Sequence, residues 1–150
     1  MNIADLALPI NRDEDLLAPF IVDRARDAIS KSGLSAHIFE GWRSPQRQNQ
    51  LYDQGRTKPG KIVTNRIAWD SIHQYGLAVD VAFKDKRGNW TWVGDWEALT
   101  REFQYFGFRS LAPLEKAHFQ IDGGLSIREI QAINKDYGQS GLWSYVKTKV

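Results

Sequence analysis

The residue types that could do chemistry in this chain of 150 residues begin with His73 and Asp80, followed some forty positions on by His118. Two imidazoles and a carboxylate suit a divalent metal of the zinc type, with one coordination position left for water when the site is catalytic. Geometry constrains that reading. On one straight strand residues 73 and 80 would lie roughly 23 Å apart on opposite faces, at about 3.3 Å per residue, so the chain must bend between them. Gly76 permits the bend, because glycine reaches positive φ without a steric penalty. After it, Leu77, Val79, Val81 and Phe83 alternate with Ala78, Asp80 and Ala82, the periodicity of a strand. Asp80 then shares a face with two alanines, which leaves room beside it. In Ala117–Ile121 the same alternation sets His118 and Gln120 against three apolar residues, so a second strand can carry the third ligand. Glu115 precedes that strand, after Pro113, where a carboxylate could act as general base on a metal-activated water. Spacing alone leaves two readings open, a split metal site or four ordinary polar positions.

The elements that must position these groups can be read in order. Residues 13 to 32 carry an imperfect helical stripe (Leu16, Leu17, Phe20, Ile21, Ala25, Ala28) ended by Gly33, with Pro19 predicting a break or a start near Ala18. Leu34 to Trp42 reads as a strand; His37 on it has no partner at a useful spacing and is taken as structural. Ser44 and Pro45 are an N-cap and first-turn pair, predicting a helix to about Gln54 with Gly55 as terminator. Arg43 therefore projects from a strand end just before a helix N-terminus, where its guanidinium could hold a carboxylate or an oxyanion, or simply form a surface ion pair. Residues 55 to 72 have little periodicity. A connection of that length leading straight into His73 is read as a substrate-facing loop, with Lys58, Lys61 and Arg66 as a solvated rim. Residues 84 to 89 form a hairpin turn into Trp90–Val93, Asp95 caps a helix to about Phe106, and Ser126 with Glu129 makes a capping box for a helix to about Lys135. The core is placed at about 13 to 135; the tail from 137 to 150 either docks or frays. The whole is one α+β domain.

Composition agrees with an ordinary globular chain: 42% hydrophobic, 25% charged, with a net charge of +2. That charge fits an anionic target such as a cell wall but is too weak to argue for nucleic-acid binding. No apolar run approaches the roughly 20 residues that span a bilayer, so membrane insertion is not expected. The start Met1-Asn2-Ile3-Ala4-Asp5 has no secretory signal pattern, and the absence of cysteine excludes disulfides and thiolate ligands.

Four motifs in order carry a resemblance: Gly41-Trp42-Arg43-Ser44 with Gln48; Gln54 to Asn65; Ser71-x-His73-x-x-Gly76-x-Ala78-x-Asp80; and Glu115-x-x-His118-Phe119. From about Ile38 to Ile130 the chain resembles the zinc D-Ala-D-Ala carboxypeptidase and VanY/VanX-like peptidases, and within them the L-alanyl-D-glutamate endopeptidases of phage endolysins and bacterial lytic enzymes. The resemblance implies Zn²⁺ on His73, Asp80 and His118, Glu115 as catalytic base, and Arg43 as a substrate-binding and oxyanion-stabilising group. Ser71 and Gln48 fall in motif positions that line the site. The implied fold is the small α+β one shared with the Hedgehog signalling domain, an antiparallel sheet with flanking helices. Trp42 stands where tyrosine is more usual, and the segment before Glu115 is too variable to align. The implied activity is cleavage of the peptidoglycan stem peptide between L-Ala and D-Glu. A D,D- or L,D-carboxypeptidase, and a non-catalytic wall-binding module with a structural zinc, are the alternatives. A monomeric lysin of phage or prophage type is expected, made in the cytoplasm without a signal peptide and reaching the wall by holin-type release.

Overall fold

The strand that carries Asp80, β2 (Ala78–Lys84), has five buried residues of seven and lies inside the sheet, so its apolar alternation meets partners on both edges. A computed structural model describes residues 10–150. In it β1 (Ala36–Glu40), β2, β3 (Trp90–Thr91), β4 (Arg109–Leu111) and β5 (Glu115–Gln120) form one antiparallel sheet in the order β1-β2-β5-β4, with β3 pairing the far end of β2. Four helices flank it: α1 (Pro19–Ser32), α2 (Pro45–Asp53), α3 (Trp96–Tyr105) and α4 (Ile127–Lys147).

Local signals account for most element ends. A short 3-10 turn, Glu14–Leu16, precedes α1, which starts with Pro19 in its first turn and ends at Gly33 with φ 68°. Ser44 Oγ accepts from Arg47 N at 3.0 Å to open α2, and Asp95 accepts from Ala98 N at 3.0 Å to open α3. The Ser126–Glu129 capping box opens α4 with both reciprocal bonds in place. The first strand is shorter than its apolar pattern, because only Ala36 to Glu40 find partners on β2.

The core lies between the sheet and α1 and α3. Ile21, Ala25 and Ala28 of α1 and Leu99 and Phe103 of α3 are fully buried, and Phe103 stacks on Phe119 of β5 with ring centroids 4.1 Å apart. That contact fixes which way β5 faces. With Phe119 turned into the core, His118 and Gln120 point to the opposite side, as their alternation predicts.

Two features go beyond the sequence expectation. β4 is a three-residue strand with no periodicity of its own, and it exists because Arg109 and Ser110 pair with Gln120 and Phe119. The tail docks: α4 breaks at Gly138 (φ 72°, ψ 178°) and resumes, burying Leu142 and Val146 completely. Trp143 Nε1 donates to Tyr75 O at 2.7 Å, so the core boundary near residue 135 is corrected to reach Val146. Leu142→Ala should therefore lower unfolding free energy by about 3 kcal/mol, whereas Tyr137→Ala, at a side chain 73% exposed, should leave it nearly unchanged in urea titrations.

Candidate metal centre

His73 sits on a 3-10 turn, Ile72–Tyr75, that Ser71 caps and Gly76 ends with φ 71°. A Cβ at Gly76 would come within 2.8 Å of Trp143 and 2.9 Å of the Leu16 carbonyl, so both φ and space demand glycine there. This is the bend that the spacing of residues 73 and 80 requires. The segment after β1 grips the turn twice: His73 Nδ1 donates to Gly41 O at 2.9 Å, and Arg43 N donates to His73 O at 3.3 Å. Asp80 and His118 are directly opposed across β2 and β5. One ligand atom from each of His73, Asp80 and His118 lies within 4.8 Å of the others.

Proton positions show what this cluster can hold. The Gly41 carbonyl can only accept, so His73 carries its proton on Nδ1 and presents a bare Nε2. His118 Nε2 lies 2.7 Å from Gln120 Oε1, and Gln120 Nε2 is spent on Asp122 Oδ2 at 2.6 Å. That fixes the amide as acceptor and leaves His118 Nδ1 bare. The two bare nitrogens are 3.2 Å apart, and Asp80 Oδ1 lies 3.3 Å from one and 3.5 Å from the other. Three acceptors thus converge with no donor among them. A divalent cation satisfies all three, and the donor set, two imidazoles and one carboxylate, fits zinc.

Burial lowers the pKa of His73, and the Arg43 charge adds to the effect. For Asp80, burial works against ionisation but is outweighed by His73, His118 and Arg43, holding the carboxyl well below its usual range. Burial opposes protonation of His118 as well, yet the Asp80 carboxylate, Gln120 and the nearby Glu115 carboxylate raise its pKa. The same negative field that would retain a proton there would retain a metal ion.

Around the cluster runs a network that local pattern reading missed. Glu40 of β1 is paired with Asp80 of β2, which sets two carboxylates side by side, Glu40 being 2% exposed. Arg43 bridges them, Nε to Glu40 Oε1 at 2.7 Å and Nη2 to Asp80 Oδ2 at 3.0 Å. Arg47 closes on Glu40 with two bonds of 2.8 Å. Arg43 Nη1 donates to Gln48 Oε1 at 3.1 Å, so each terminal nitrogen keeps one further N–H.

The other sequence-derived site residues divide. Gln48 is completely buried; its amide also binds Gln74 and reaches Arg66 O at 2.6 Å and Thr64 Oγ1 at 3.4 Å. It braces the 64–66 loop and does not line an open site as a substrate contact. Ser71 Oγ accepts from His73 N at 3.4 Å and caps the ligand turn. Glu115 is exposed at the start of β5, opposite Leu111 at a register irregularity. His37 is exposed, edge-on to Trp90, and outside the cluster. The parts that Gly41 and Gln120 play in orienting the imidazoles, and that Glu40 plays beside Asp80, do not follow from local spacing, although Glu40 left one sequence signal, a carboxylate three and seven residues before two arginines at a helix start.

A model of the VanY family, described as D-alanyl-D-alanine carboxypeptidase, matches residues 21–121. Peptidoglycan L-alanyl-D-glutamate endopeptidase CwlK of Bacillus subtilis (strain 168) is 39% identical over 85 residues, 57% of this chain and 51% of that relative. The chain thus spans about half the length of the curated relative it matches. The crystal structure of Serratia marcescens L-Ala D-Glu endopeptidase ChiX superposes with a TM-score of 0.55 at 20% identity, over 84% of this chain and 87% of that one. At that identity the likeness is one of fold.

Breaking the Glu40 ion cluster should cost about 3 kcal/mol, since it strands buried arginine charge. Burial pushes the Glu40 carboxyl up, but the hydrogen bonds from Arg47 and Arg43 and their charges outweigh it, so its pKa is lowered on folding. Its stabilisation is then complete above the ordinary carboxylate range and is lost as pH falls through the lowered value. In chemical denaturation, the stability gap between parent and Glu40→Gln should be full at pH 7 and shrink on acidification below the ordinary carboxylate range.

Proposed function

This chain belongs to the VanY D-alanyl-D-alanine carboxypeptidase family, and from that premise we propose that it is a zinc peptidase cutting the peptidoglycan stem peptide between L-Ala and D-Glu. One observation carries the proposal: His73 Nε2, His118 Nδ1 and Asp80 Oδ1 converge with their protons turned away. The bond is suggested by CwlK, named an L-alanyl-D-glutamate endopeptidase.

In this reading His73, Asp80 and His118 hold Zn²⁺, which when bound polarises a carbonyl and acidifies water. The Gly41 carbonyl and Gln120 orient the two imidazoles, and Arg43 holds Asp80 by Oδ2 so that Oδ1 stays turned to the ligand cluster. Glu115, close enough for its charge to raise the His118 pKa, takes a proton from the attacking water and returns it to the leaving amine. The N–H groups that Arg43 has not spent stabilise negative charge as it develops on the carbonyl oxygen. Ser71 acts through the turn that it caps. Action is at the cell wall, by a monomer, in the manner of a phage or prophage lysin.

The family description favours a second reading, removal of a C-terminal D-alanine from the stem. Digestion of peptidoglycan separates the two. Chelator-sensitive release of new D-Glu amino termini supports the endopeptidase, release of free D-alanine supports the carboxypeptidase, and zinc binding with no bond cut in any wall type refutes both. Glu115→Gln should bind zinc like the parent and lose turnover by at least about 100-fold, whereas His118→Ala should lose zinc affinity itself by about 10-fold or more, read by competition with a chromogenic chelator. Parent-like turnover in Glu115→Gln would remove that residue from the mechanism.

A further inference from the structure

Trp69 is the one non-glycine residue with positive φ (67°) among the described residues, a conformation that a bulky side chain adopts only when its surroundings impose it. They do. Its N–H donates to Gln74 Oε1 at 3.2 Å, and its carbonyl accepts from Tyr75 Oη at 2.7 Å and from Gln131 Nε2 at 2.9 Å. The effect of this pinning is to hold an indole, 48% exposed, at the edge of a cavity of about 330 Å³.

The chemistry of the cavity is narrow. Trp42, Trp69 and Tyr75 line it together with the carboxamide residues Gln74, Asn134 and Gln139. No charged side chain lines it among the described residues. Gln74 is spent on Arg43 O, Gln48 and Trp69 N. Asn134 is half-buried and Gln139 exposed, and they flank Gly138, whose φ of 72° and ψ of 178° interrupt α4 and where a Cβ would meet nothing within 4 Å. The kink thus leaves the mouth open and brings two amides beside it. Aromatic faces match apolar C–H surface, and carboxamides both donate and accept at a polar rim.

We propose that this cavity is a saccharide subsite that takes a neutral pyranose bearing an acetamido group. An anionic peptide finds no countercharge there, and a purely apolar ligand would strand the amides. The cavity adjoins the metal centre along the chain: Trp42 precedes Arg43, Gln74 and Tyr75 follow His73, and Trp42 Nε1 donates to Gln74 O at 3.0 Å. The subsite rests on the peptidoglycan reading for its biological ligand, the N-acetylated amino sugars of the glycan to which the stem peptide is attached.

A peptide-free probe makes the test independent of that reading. Titration of the full chain with tetra-N-acetylchitotetraose, followed by NMR, should give saturable shifts. Both Trp69→Ala and the double variant Asn134→Ala/Gln139→Ala should weaken binding at least tenfold. On a glycan-free stem peptide the double variant should turn over at the parental rate, while on intact wall it should be several-fold slower. Absence of saturable binding, or binding unchanged in both variants, overturns the subsite whatever the peptidase assay gives. Tetra-N-acetylchitotetraose binding lost in the variants, with no peptide cut by the parent, upholds the subsite and refutes the peptidase.

Discussion

Two buried carboxylates held side by side are the constraint on which the site depends. Glu40 and Asp80 are cross-strand partners, and neither could stay ionised so close to the other without the guanidinium between them. Arg43 binds both, and Arg47 adds a second positive charge on Glu40. With the pairs balanced, Asp80 is free to turn its other oxygen to the two imidazoles. A buried ion cluster of this kind adds little to net stability, because desolvation offsets the attraction. Its contribution is orientation.

The sheet converts that orientation into a site. β2 is interior, so Asp80 has Glu40 on one flank and His118 on the other. Phe119, stacked on Phe103, turns His118 out of the core. The third ligand comes from a turn, not a strand, and is held by backbone: Gly41 and Arg43 bond to both ends of His73. One short stretch, Glu40 to Arg43, therefore serves two of the three ligands, the carboxylate through Arg43 and His73 through Gly41. This explains how a site assembled from distant parts of the chain can be rigid enough to define a coordination geometry.

The tail enters the same economy. α4 resumes after Gly138, packs Leu142 and Val146 into the core, and ties Trp143 to the carbonyl of Tyr75, the last residue of the ligand turn. Trp143 also occupies the space that a side chain at Gly76 would need. The C-terminal segment thus backs the turn that carries His73, and the same kink that lets it return opens the cavity beside Trp69.

What the sequence by itself determined are the features whose causes are local. Periodicity placed Asp80 and His118 on chosen faces of two strands, cap residues set the starts of α2, α3 and α4, and Gly76 marked the bend. The residue types of the four motifs were enough to indicate the family. The tertiary structure decided what depends on strand order and on distant partners. That Glu40 would face Asp80 follows from β1 lying next to β2, and nothing in the spacing of residues 40 and 80 encodes it. Gln48 belonged to a motif, yet only packing could show its amide buried and fully used. The tail was undecided because an amphipathic segment is stable only against a surface, and that surface, beside Tyr75, exists only once the chain has folded. Trp69 gave no local sign of its left-handed backbone, since the three hydrogen bonds that impose it come from Gln74, Tyr75 and Gln131.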